Sequence, residues 1–89
     1  MKDLKKRLKN LVEEMEKQIP TLDKEINSII NFKKENVEDI EKLLDILLAY
    51  NQFGIGEKNF FKLNNYYKTF MPDNAYTYEK CFKENFTEE

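Results

Sequence analysis

The chain predicts an all-α fold, a small antiparallel bundle of four or five helices joined by short turns. Three observations carry this expectation. Apolar residues recur at helical spacing along most of the length, strand-like alternation of useful length is absent, and Gly54 and Gly56 fall together between two periodic stretches. Residues 36–71 read as a central helical hairpin turning at Gly54 and Gly56. An amphipathic arm over 2–18 precedes it and a closing helix over 73–86 follows, within a single domain spanning 1–89.

The hairpin is the best-specified part. Asn36 stands before Val37, Ile40, Leu43, Leu44 and Leu47, an apolar face at helical spacing. An Asn there accepts a bond from a first-turn N–H, and Glu38 and Asp39 sit at the positive end of the helix dipole. Gly54 is the residue that takes the left-handed conformation after a helix, which lets Ile55 fold back on Tyr50 in a Schellman-type stop. Ile55 also precedes a Gly56 cap and lies five residues before Phe60, the spacing of a hydrophobic staple.

The arm carries Leu4, Leu8, Leu11 and Met15, a narrow stripe of alternating four and three steps that Val12 widens at one point. Its charges are asymmetric: Lys2, Lys5, Lys6, Arg7 and Lys9 come first, then Glu13, Glu14 and Glu16. Cations at a helix N-terminus oppose the dipole, so the helix needs something to pack on. One reading folds the arm back on residues 22–48 of its own chain. The other pairs two copies antiparallel, basic block against acidic block. Pro20 marks either a kink in one long helix or a break between two; the break is the favoured reading, with Thr21 capping the restart at Leu22, Ile26, Ile29 and Ile30. Lys33, Lys34, Glu35 and Asn36 supply the next turn.

Of twelve aromatics, eleven lie from Tyr50 onward, so an aromatic half must cover an aliphatic half. Phe60, Leu63, Tyr67, Phe70 and Met71 share one side of a helix that Met71 and Pro72 end. Phe61 and Tyr66 fall outside that side; packing by the last helix or a partner surface explains them. Asp73 or Asn74 caps the closing helix, where Ala75, Tyr78, Phe82 and Phe86 recur. Residues 87–89 are expected to fray, because acidic groups at a helix C-terminus oppose the dipole.

Composition narrows the function. There is no histidine, so the usual near-neutral acid–base group and the His-containing metal sites are missing. Cys81 is alone, which excludes an internal disulfide and favours a reducing, cytoplasmic setting. Glu38, Glu41 and Asp45 share a helix face and read as solvated carboxylates rather than a metal site. Two glycines alone make no phosphate loop. The longest strongly apolar stretch, 43–50, contains Asp45 and is too short to span a bilayer. The expectation is a protein without cofactor, without membrane insertion and without enzyme activity.

Residues 46–65 resemble a helix-turn-helix, with Gly54 in the turn and Ala49, Phe53, Ile55, Phe60 and Leu63 at the buried offsets. The resemblance departs at Tyr50, where a small residue is usual. It implies that Lys58, Lys62 and Asn65 face a DNA groove or phosphates. Charge argues against this, since residues 57–71 hold Glu57 against only Lys58, Lys62 and Lys68, in a chain of net charge −2. The sequence therefore points first to a protein-binding module, such as a self-associating regulator, inhibitor or chaperone-like adaptor. Its contact residues would be Leu4, Leu8, Leu11, Met15, Phe61 and Tyr66, with a homodimer as one form. DNA binding through Lys58, Lys62 and Asn65 is the alternative.

Overall fold

A computed structural model describes the backbone of residues 2–86 and the side chains of residues 6–84. The side chains of Leu4 and Phe86, and the expected fraying of 87–89, lie outside the described residues. Four helices follow in order: α1 (Lys2–Asn31), α2 (Val37–Asn51), α3 (Glu57–Lys68) and α4 (Pro72–Phe86). No strand occurs among the described residues.

Cross-helix bonds give the directions. Asp23 of α1 accepts from Asn59 and Lys62, and the Lys34 carbonyl just past α1 accepts from the Tyr66 hydroxyl, so α1 and α3 run parallel. Glu41 near the start of α2 accepts from Tyr67 near the end of α3. Asn64 of α3 donates to the Ala75 carbonyl of α4 while Phe60 stacks on Phe82 further along. Consecutive helices are therefore antiparallel, an up-down-up-down bundle. Helix α3 packs against all three others, and Phe60, Leu63 and Tyr67 on it are fully buried. The rest of the core is aliphatic: Leu22, Ile26 and Ile29 from α1, Ile40, Leu43, Leu44 and Leu47 from α2, with Ala75 from α4.

The turns follow the local chemistry. Asn36 caps α2 by accepting from the Asp39 N–H at 3.0 Å. At its other end the Ile55 N–H reaches the Tyr50 carbonyl at 3.1 Å and the Gly54 N–H reaches Asn51 at 2.9 Å, the bond pair of a Schellman stop, with Gly54 at φ 75°. Gly56, at φ 77°, is the N-cap of α3, and Ile55 and Phe60 are both buried around it. The end of α1 repeats the Schellman pattern: Lys34 N–H bonds the Ile29 carbonyl, Lys33 N–H bonds Ile30, and Lys33 takes the left-handed position at φ 50°.

Two boundaries correct the sequence expectations. Pro20 separates no helices; it lies inside the continuous α1, exposed to solvent, and Thr21 is an exposed helical residue rather than a cap. A proline in a helix interior costs about 3 kcal/mol. The apolar stripe keeps its phase across it, and burying Leu22, Ile26 and Ile29 at about 2 kcal/mol each outweighs that cost. Neither Asp73 nor Asn74 caps α4. Pro72 is its first residue and the Met71 carbonyl accepts from Ala75, the position where proline's missing N–H costs nothing. Helix α3 accordingly ends at Lys68, before Met71.

Length mismatch shapes the molecule. Helix α1 is 30 residues, about 45 Å, against 15 for α2 and 12 for α3. The longest dimension is 46 Å and the radius of gyration 14.2 Å, above the roughly 12 Å of a compact chain this long. The arm does not fold back on 22–48; it continues the α1 axis beyond the hairpin. Among the described residues, no helix is long and apolar enough to cross a membrane.

Candidate functional site

The apolar stripe of α1 is one continuous face whose burial falls along its length. Ile26 and Leu22 are buried, Ile19, Met15 and Val12 are half-buried, and Leu11 and Leu8 are each 47% exposed. The cause is the end of the hairpin. Ile19 and Leu47 close on Gly56 at the start of α3, and Phe53 at the hairpin tip reaches α1 beside Val12. N-terminal to Val12, the exposed Leu11 and Leu8 continue the stripe. Phe53 is itself 42% exposed, and with Leu8, Lys9, Val12, Glu13 and Glu16 it lines a shallow groove of about 500 Å³. Leu8, Val12 and Phe53 thus share one groove rimmed by Lys9, Glu13 and Glu16.

The helix-turn-helix spacing puts Phe53 and Ala49 at buried offsets; both are exposed. Of the five offsets only Ile55, Phe60 and Leu63 are buried. The three candidate DNA-facing residues also separate. All three are exposed, but the Lys62 ammonium is engaged within the chain, donating to Asp23 and Asn27, each at 2.9 Å. That bond, with the Lys62 charge, holds the Asp23 carboxyl below its ordinary range despite partial burial. Helix α1 therefore flanks the Lys62 edge of α3, where a groove-reading helix would need open space.

Phe61 and Tyr66 are half-buried and engaged inside the chain. Phe61 meets Phe82 edge-on at 4.7 Å between centroids and also packs on Phe60. Tyr66 packs on Phe70 and donates its hydroxyl to the Lys34 carbonyl at 2.8 Å, tying α3 to the α1–α2 turn. The side chains that stand out into solvent are instead Phe32, 73% exposed, and Tyr76, 64% exposed.

The acidic face of α2 is occupied by tyrosines. Glu41 accepts from the Tyr67 hydroxyl at 2.5 Å and from Asn74 at 3.0 Å, and Asp45 accepts from the Tyr78 hydroxyl at 2.9 Å. Burial, reinforced by these carboxylates, pushes both phenols above their ordinary value, so both remain protonated donors near neutral pH. Together they strap α2 to α3 and α4. A cleft of about 390 Å³ runs along the Asp45 side, with the half-buried Cys81 in its wall. No cluster of three metal-ligating side chains forms among the described residues. No protein-family model, curated protein or solved structure matches this chain.

Proposed function

We propose that this chain is a non-enzymatic protein-binding module, a small self-associating regulator, inhibitor or adaptor, whose contact surface is the overhanging stripe of α1. The observation that carries the reading is the position of Leu8 and Leu11. They continue the face that is buried elsewhere along α1, yet each is half in water. Covering such side chains contributes on the order of 1 kcal/mol apiece, and charged residues at the rim supply orientation. Absence of histidine, together with carboxylates committed to tyrosine hydroxyls, supports the non-enzymatic part. The engagement of Lys62 by Asp23 and Asn27 disfavours DNA as the partner.

The test is affinity purification from the native host with wild type and with Leu8→Glu/Leu11→Glu, after circular dichroism has established that the variant is folded. Loss of a wild-type partner in the variant supports the reading. Equal recovery of every partner removes the overhang as the binding surface. Retention of mixed-sequence duplex DNA at about 50 mM salt, weakened by Lys58→Ala, would replace the reading with nucleic-acid binding.

A further inference from the structure

We infer that the occupant of the α1 overhang is a second copy of this chain, paired antiparallel in a register centred between Lys9 and Asn10. The inference rests on the protein-binding reading above and names the partner. Its first support is spacing. Positions 4, 8, 11 and 15 are their own mirror image about that centre. A two-fold axis there sets Leu8 of each copy opposite Leu11 of the other, and the register position of Leu4 opposite Met15. One operation thus pairs every stripe position.

Charge is the second support. Arg7 and Glu14 lie one heptad apart, on the same flank of the stripe, and both are exposed. An antiparallel pair sets Arg7 of each copy beside Glu14 of the other, twice by symmetry. A parallel pair instead aligns the basic block 5–9 on itself and 13–16 on itself. Shape agrees with this orientation. Among the described residues burial on α1 begins only at Val12, so antiparallel copies carry their bundles at opposite ends of the shared seam. The groove between Leu8, Val12 and Phe53 then faces positions 7–11 of the second copy, and Phe53 flanks the seam there.

Light scattering with full-length protein at roughly 10–100 μM tests the inference. Wild type is expected at twice 10.8 kDa. Arg7→Glu alone and Glu14→Arg alone should each weaken dimerisation roughly tenfold at low salt, because two attractive contacts become repulsive in each case. Mixing the two variants restores both contacts, so the mixed dimer should form within about threefold of wild type. Leu8→Glu/Leu11→Glu should abolish the dimer. Both charge positions are exposed, so their variants read out even where the leucine variant loses arm helicity. A wild-type species of 10.8 kDa throughout overturns the second copy as occupant, while the host purification still decides the protein-binding reading on its own. A dimer indifferent to both charge exchanges overturns the antiparallel register. A dimer that survives the leucine substitutions places the interface elsewhere.

Discussion

Lys33 is the only non-glycine with positive φ among the described residues. A side chain in that conformation costs about 1–2 kcal/mol, partly offset in any glycine replacement by the chain entropy glycine loses. Lys33→Gly should therefore raise stability by roughly 0.5–1 kcal/mol, measured as a higher urea midpoint at unchanged slope. The reverse holds in the hairpin turn. A Cβ at Gly54 meets nothing, so Gly54→Ala should cost only the backbone penalty of about 1 kcal/mol. At Gly56 the same atom would lie 3.0 Å from Leu47 Cδ2 and 3.1 Å from Ile19 Cδ1. Gly56→Ala should cost more than Gly54→Ala, and equal losses would mean that α1 does not close on the turn. Asn51 poses a different problem. It is fully buried on the face of Ile40, Leu44 and Leu47, and neither side-chain polar atom has a protein partner. Asn51→Leu removes a desolvated amide while keeping four side-chain heavy atoms and the same branching, and should stabilise by about 1–3 kcal/mol. A loss of stability would show that the amide is satisfied through water.

At the scale of elements, α1 combines a poor local sequence with strong packing. Its N-terminal cations oppose the dipole, and Pro20 removes the bond that its N–H would make to Glu16. The helix is continuous because Leu22, Ile26 and Ile29 lock its second half onto the bundle. Pro20→Ala should then be strongly stabilising, up to about 3 kcal/mol, since the exposed ring makes no core contact to lose. A neutral or negative effect on the thermal midpoint would mean that the proline sets the direction of the arm. Helix α3 is the opposite case, twelve residues held by three neighbours. Its aromatics serve internal packing, which is why Phe61 and Tyr66 turn inward to Phe82, Phe70 and the Lys34 carbonyl.

The whole molecule is sewn together by side-chain bonds whose protonation sets its pH limits. The Asp23 carboxyl is lowered in the folded state, so its contribution is present above the ordinary 3.8 and lost as pH falls through the folded value. Lys62→Ala should flatten that acid limb. Tyr78 is raised, so its contribution is complete below 10.0 and is lost as pH rises beyond it. Stability should therefore fall on the alkaline side above pH 10, and Tyr78→Phe should reduce the slope there. An unchanged alkaline slope in that variant would mean that the Tyr78–Asp45 strap is not formed in solution.

The α2–α3 hairpin and its caps were set by the sequence itself, because periodicity, Asn36, Gly54 and Gly56 act over a few residues. The stripe of Leu8, Leu11 and Met15 was legible for the same reason. Whether that stripe is covered was not, since coverage depends on where the α2–α3 hairpin stops along α1. This is also why Phe53 could not be told from a core residue by spacing: its exposure comes from standing at the hairpin tip. Lys62 looked free until Asp23, thirty-nine positions earlier, came beside it. The uninterrupted passage of α1 through Pro20 likewise needed α3, because only burial across the bundle outweighs a local penalty of that size.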